Sequence, residues 1–213
     1  MMNPLHKYYA NFRYPKGLLG HYLVNAMNGK RHQALASWAL SDVNLKEDGH
    51  ALDIGCGGGA NVARLLQMCP NGKIWGMDIS KVALKVARSL NKKAIAEKRC
   101  YIVGGTAKQL PFVKGTFDLV TAFETIYYWP ELQTCLSEVL RVLKPGGKFI
   151  IANETDGHDP EGKKWAKLIE YMHIYTIDEL KENLAKAGFE NIEARHDAET
   201  HNIRISGTKS LTA

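Results

Sequence analysis

Between residues 50 and 153, short apolar runs alternate with stretches in which apolar positions recur every third or fourth residue. This is the alternation of buried strands with amphipathic helices. His50 to Ile54 reads as a short strand that runs into glycines. A helical pattern from Asn61 to Met68 follows and is broken by Pro70-Asn71-Gly72. Lys73 to Asp78 is a second strand, and Ser80 is placed to cap a helix from Lys81 to Ala96. Tyr101 to Val103 is a third strand. Phe117 to Phe123 is a fourth and nearly all apolar, as a strand covered on both faces is. Leu132 to Leu143 is helical and stops at Pro145-Gly146-Gly147, and Lys148 to Asn153 is the fifth strand.

Repeated strand–helix–strand units predict a parallel sheet with helices on both sides. Beyond residue 155 the rhythm changes. Thr176 and Glu179 form a capping box for a helix ending near Gly188. Strands around Ile192 to His196 and Asn202 to Thr208, joined by a tight return, add an antiparallel edge. The expected fold is α/β: a doubly wound, mostly parallel seven-stranded sheet with one antiparallel edge strand. The first 45 residues differ. Arg13-Tyr14-Pro15-Lys16-Gly17 leads into helical pieces near Leu18 to Met27 and Lys30 to Leu40. With Tyr8, Tyr9, Phe12, Tyr14, Tyr22 and Trp38 needing cover, they are expected to form a helical lid, residues 1–45, over the main domain, 46–213.

Composition narrows the class. The chain has 213 residues, 45% hydrophobic and 23% charged, the profile of one globular domain. No apolar run approaches the roughly 20 residues that cross a bilayer, and Met1 to Lys7 lacks a signal-peptide core, so a cytoplasmic protein without a membrane partner is expected. Cys56, Cys69, Cys100 and Cys135 are too dispersed for a zinc knuckle or a disulfide framework and read as buried free thiols. The net charge of +6 is spread along the chain; Lys81, Lys85, Arg88 and Lys92 alone recur at helical spacing. They read as a solvated face, with a nucleic-acid footprint as the second reading.

The candidate chemistry sits in Leu52-Asp53-Ile54-Gly55-Cys56-Gly57-Gly58-Gly59. Glycines there let the backbone turn sharply beneath a helix N-terminus and approach a ligand. Gly55 to Ala60 also fits the dinucleotide pattern G-x-G-x-x-[GA], with Asp78 at the end of the second strand as a ribose-binding acid. Two further blocks separate the readings, Leu110-Pro111-Phe112 with Phe117-Asp118-Leu119-Val120, and Arg141-Val142-Leu143-Lys144-Pro145-Gly146-Gly147-Lys148-Phe149. Asp53, two residues before the first glycine, stands where the dinucleotide fingerprint has an apolar residue.

In this order and at these intervals the blocks resemble the class I S-adenosylmethionine-dependent methyltransferases, in particular the small-molecule, type 11 group that includes the quinone-biosynthesis enzymes. The resemblance is close over residues 50–155 and loose beyond. It implies S-adenosylmethionine as methyl donor, S-adenosylhomocysteine as product, and no metal. By resemblance the cofactor-binding residues are Asp53, Gly55, Cys56, Gly57, Asp78, Ile79, Thr106, Ala107 and Glu124. The backbone of Gly55 to Gly57 would pass under the methionine moiety, Asp78 would accept from both ribose hydroxyls, and Ile79 would lie on the adenine face. Thr106 departs from the pattern, because the family often has an acidic residue before the alanine. A neutral hydroxyl accepts more weakly from the adenine amino group.

A sulfonium methyl is already activated, so the protein's work is to align an acceptor and exclude water. After the fourth strand comes Glu124-Thr125-Ile126-Tyr127-Tyr128-Trp129. Glu124 is the catalytic candidate, as proton acceptor or partner of a cation, and Tyr127, Tyr128 and Trp129 are the substrate-contact candidates. No His/Cys/Asp/Glu set occurs at metal-ligand spacing. His21, His32 and His158 are candidate bases, each with a structural or solvent-facing alternative. The expected function is methyl transfer to a small molecule. The alternatives are an RNA or protein methyltransferase using the basic helix, and a non-catalytic S-adenosylmethionine-binding module.

Overall fold

The computed structural model describes residues 4–212, with side chains from Tyr8 onward. Its centre is a seven-stranded sheet: β1 (His50–Ile54), β2 (Lys73–Asp78), β3 (Cys100–Gly104), β4 (Phe117–Phe123), β5 (Leu143–Asn153), β6 (Glu190–Asp197) and β7 (Asn202–Thr208). The order is β3-β2-β1-β4-β5-β7-β6. The first five strands are parallel. β7 runs antiparallel to both β5 and β6, so the antiparallel strand lies one in from the edge that β6 closes. Strand order reverses beside β1, which opens a crevice above the C-terminal ends of β1 and β4, the usual place for a ligand in such sheets.

The helices are α1 (Pro4–Arg13), α2 (Gly17–Met27), α3 (Lys30–Ala39), α4 (Ala60–Met68), α5 (Lys81–Leu90), α6 (Lys92–Ala96), α7 (Leu132–Val142), α8 (Pro160–Leu168) and α9 (Ile177–Ala187). They cover both faces of the sheet. Along β5, Phe149 and Ile151 join one apolar cluster with Leu136, Val139, Leu180 and Leu184 of α7 and α9. Ile150 and Ala152 join the other, with Leu35 of α3, Leu65 of α4 and Leu84 of α5. This strict alternation on a strand buried on both faces accounts for its near-continuous apolar run. All four cysteines are buried and free.

Several local expectations shift. The helix expected over 81–96 divides at Asn91, whose side-chain amide donates to Gly59 O at 3.1 Å and Ala87 O at 3.0 Å, tying the helix to the glycine loop. β5 begins at Leu143 rather than Lys148. The Pro145-Gly146-Gly147 segment, with Gly146 at φ +75°, is held in the strand by Lys209, whose backbone bonds to Gly146 and Gly147 while its ammonium donates to Leu143 O at 2.8 Å. α1 and α8 were not expected. α8 starts at Pro160 behind Asp159, whose carboxylate accepts from Gly162 N at 2.6 Å. The capping box at Thr176 and Glu179 is present, and α9 ends at Gly188 with φ +95°.

The N-terminal helices divide their work. α3 buries Leu35, Ala36 and Ala39 in the sheet's core, whereas α2 lays Val24 on Ala83 and Val86 of α5. Before α2 the chain is pinned by Ser80, whose hydroxyl donates to Pro15 O at 2.7 Å. Lys81, Lys85, Arg88 and Lys92 are exposed. Among the described residues no helix is long and apolar enough to cross a membrane.

Candidate active site

A cavity of about 610 Å³ opens over the ends of β1, β2 and β4, within the usual range for small-ligand sites. Of the residues singled out in the sequence, Gly55, Cys56, Gly57, Asp78, Ile79, Thr106, Ala107, Glu124, Tyr127, Tyr128 and Trp129 all line it. Asp53 does not.

The floor is the loop between β1 and α4. Gly57 has φ +50°, a conformation that favours glycine, and a Cβ there would meet nothing within 4 Å, because the position faces open space. Its N–H donates to Asp78 Oδ2 at 2.9 Å, while Ser80 N donates to Oδ1 at 2.8 Å. Asp78 thus ties the loop to the end of β2. Each carboxylate oxygen accepts one of these backbone bonds and retains further acceptor capacity for a ligand donor. Burial raises the Asp78 pKa, and the amide bonds of Ser80 and Gly57 oppose that rise. Gly55 is needed for another reason: a Cβ there would lie 2.2 Å from Thr125 Oγ1.

Ile79 is 55% exposed although it borders the cavity, which leaves an apolar plate free for a planar group. Opposite the loop, Asn28 reaches over from the N-terminal helices and donates to Gly58 O at 3.3 Å. An open glycine, a carboxylate with acceptor capacity left and a free apolar side chain form a chemically suitable set for methionine backbone, ribose and adenine. The residues fit an adenosyl cofactor.

Asp53, expected to touch the cofactor, is placed behind the loop. It is register partner to Thr121 on β4 and accepts from Thr121 Oγ1 at 2.7 Å, with only 1% of its surface exposed. Burial pushes its pKa up to about 7, against the Thr121 bond. Parallel neighbours in register share a face, so the carboxylate is spent on the adjacent strand and supports the loop from below.

The far end of the cavity is acidic and aromatic. Glu124 follows β4 with φ +55°, held by its own N–H to Ala152 O at 3.0 Å. Its Oε1 accepts from Tyr127 Oη at 2.9 Å and from Glu154 N at 2.5 Å. Burial and the neighbouring Glu154 charge raise its pKa to about 7, with bonds from Glu154 N and Tyr127 working against them. Glu154 meets Arg31 Nε at 2.7 Å and His32 Nδ1 at 3.1 Å. The His32 pKa is raised, chiefly by its close approach to the Glu154 carboxylate. Sequence spacing missed this set because His32, Glu124 and Glu154 lie on three separate elements. One ligand atom from each lies within 4.8 Å of the others, a proximity that the linear pattern did not show.

Trp129 is mostly core, 8% exposed and stacked on Phe149 at 6.1 Å between centroids. Trp165 of α8 was missed altogether. It borders the cavity and meets Phe12 at 5.4 Å and Tyr9 at 6.2 Å, so α1 and α8 close the aromatic end between them.

The fold and this cavity define a nucleotide-binding α/β protein of the methyltransferase architecture. Residues 52–151 match the family model described as a methyltransferase domain. The chain is 31% identical over 160 residues to an O-methyltransferase of Penicillium expansum, covering 74% of this chain and 57% of that protein. It is 33% identical over 133 residues to the demethylmenaquinone methyltransferase of Anoxybacillus flavithermus, covering 61% and 56%. The structure of a SAM-dependent methyltransferase from Aquifex aeolicus superposes with a TM-score of 0.74 at 18% identity, covering 88% of this chain and 97% of that one, which bears on the fold. The chain spans about half the length of the curated relatives it matches. Residues 52–151 thus carry the match to a methyltransferase domain, and the chain is similar in sequence and in fold to S-adenosylmethionine-dependent methyltransferases.

Proposed function

We propose that the protein transfers the methyl group of S-adenosylmethionine to a small-molecule acceptor held between Glu124 and the aromatic end of the cavity. The observation that carries this reading is the continuity of one cavity from Gly57, Asp78 and Ile79 to Glu124, Tyr127, Tyr128 and Trp165. When bound, the cofactor supplies an electrophilic methyl group on sulfur. The protein supplies the rest. Gly55 to Gly57, Asp78, Ile79, Thr106 and Ala107 hold the donor, with Asp78 taking the ribose hydroxyls. Tyr127, Tyr128 and Trp165 enclose the acceptor and keep water out, which strengthens every charge interaction inside. Glu124 receives the proton that the acceptor atom gives up, its pKa of about 7 being suited to that task.

Residues 1–45 act as the lid. α1 and the turn at Pro15 lie at the cavity mouth, and α3 anchors the segment in the core. The test is to incubate the full chain with methyl-labelled S-adenosylmethionine and pools of metabolites, then identify the labelled product by mass. Label appearing only in RNA, with activity falling steeply as salt rises, would instead support a nucleic-acid acceptor contacted through Lys81, Lys85, Arg88 and Lys92. Donor binding with no product from any pool would support a binding module.

A further inference from the structure

Outside the cavity, at the sheet's β7–β6 edge, three residues that are far apart in the chain bring their side chains onto one point. Asp156 follows β5, His196 lies on β6, and His201 immediately precedes β7. His196 Nε2 is 3.1 Å and His201 Nδ1 2.9 Å from the same oxygen, Asp156 Oδ2. The other oxygen, Oδ1, is occupied by the backbone N–H groups of His158 at 2.8 Å and Asp159 at 3.0 Å. The carboxylate is therefore fixed in orientation, with Oδ2 turned toward both imidazoles. Both imidazoles are partly exposed, at 39% and 45% of their side-chain surface, while Asp156 is 8% exposed.

We propose that Asp156, His196 and His201 bind a divalent cation of the zinc type, with water completing the coordination. The donor set is two imidazole nitrogens and one carboxylate oxygen, which suits zinc. The spacing fits as well. Donors about 2.0–2.1 Å from a tetrahedral zinc lie roughly 3.3 Å from one another. The two nitrogen–oxygen separations here fall a few tenths of an ångström short of that, an adjustment that rotation of an exposed imidazole supplies. Partial exposure of both rings gives the ion a path from solvent. The second layer is in place too, because the backbone bonds to Oδ1 hold the ligating carboxylate.

The ion would be structural. It would clip the segment after β5 to the β6–β7 hairpin, and that segment carries Asp159, the cap of α8, and hence Trp165 at the cavity wall. Binding involves no redox or transfer step: the metal takes a lone pair from each neutral imidazole and from the carboxylate, and any proton on a ring is released.

The test uses the full chain without a histidine tag, stripped with chelator and then titrated with zinc chloride. One zinc per chain should bind in calorimetry and by elemental analysis. At about a hundredfold excess over Kd the melting temperature should rise by roughly 5–10 °C. His196→Gln and His201→Gln should each weaken zinc binding at least about tenfold and at least halve the melting shift at the same zinc concentration, while melting like the parent without metal. Cobalt in place of zinc should give visible bands of tetrahedral type in the parent and lose them in both variants. No bound zinc in the parent, or equal affinity in parent and both variants, would overturn the proposal and leave two histidine–aspartate hydrogen bonds in its place.

Discussion

Glu124→Gln separates two effects of one side chain, because its stability consequence can be read without any acceptor. Burial and the Glu154 charge raise the Glu124 pKa from 4.5 to about 7. A carboxyl raised in the folded state contributes its stability in full below the unfolded value and loses it as pH climbs through the folded one. The window is therefore pH 4.5 to about 7, and the parent loses stability across it. At 1.36 kcal/mol per pH unit the ceiling is about 3 kcal/mol, or roughly 6–12 °C in melting temperature for a domain of this size. Glutamine carries no titrating proton and escapes that loss. The variant should melt close to the parent near pH 5 and above it at pH 8. In the transfer assay the parent's rate should rise through pH 7 and level off. The variant should lose that slope and about 10²–10⁴ in rate at pH 8. A melting difference constant from pH 5 to 8 would refute the raised pKa. Full activity with an unchanged pH profile would refute the proton-acceptor role.

Asp78→Ala removes an acceptor of charge-assisted bonds worth about 1.5–3 kcal/mol each, so calorimetry should show donor affinity down at least about tenfold. Circular dichroism is needed alongside, since Gly57 N and Ser80 N also lose their partner, and unchanged affinity would place the ribose elsewhere. Thr106→Asp should bind the donor at least as tightly as the parent, because a charged acceptor is stronger than a hydroxyl; a severe drop in a folded variant would remove Thr106 from the adenine edge. Deleting residues 1–13 takes away α1 with Tyr9 and Phe12 but spares Pro15, the acceptor for Ser80. Transfer and acceptor binding should fall with little change in melting, and a fully active truncation would end the lid reading.

The strands were legible because their signals are local. β1, β2, β4 and β7 begin and end where apolar runs meet glycine, proline or polar clusters, and the structure places them at the expected residues. The misses share a cause, which is a partner distant in sequence. Lys144-Pro145-Gly146-Gly147 has every local mark of a loop, yet Lys209 pairs with it and draws it into β5. Lys81 to Ala96 has one continuous helical pattern, yet Asn91 turns aside to bond Gly59 and the helix divides there. α8 is a different kind of miss. Its signal, Asp159 followed by Pro160, is a local cap with proline at the first helical position and could have been read.

The two ends of the cavity were unequally legible for a structural reason. The donor end is built from residues adjacent in sequence, Gly55 to Gly57 and Asp78 with Ile79, so a linear pattern contains it. Even there, pattern gives position without direction. Asp53 stands beside the loop in sequence, but its register with Thr121 turns the carboxylate onto the neighbouring strand. The proposed acceptor end draws Arg31 and His32 from α3, Glu124 from the turn after β4, Glu154 from the segment after β5, Trp165 from α8 and Phe12 from α1. No two of those elements supply enough of the site to be recognised alone. The Glu154 carboxylate shows the dependence: at 10% exposure it would be a buried charge without Arg31 and His32, which both come from the N-terminal helices. The proposed acceptor site therefore takes its charge balance from Arg31 and His32, and a change in how α3 packs on the sheet should alter the electrostatics around Glu124.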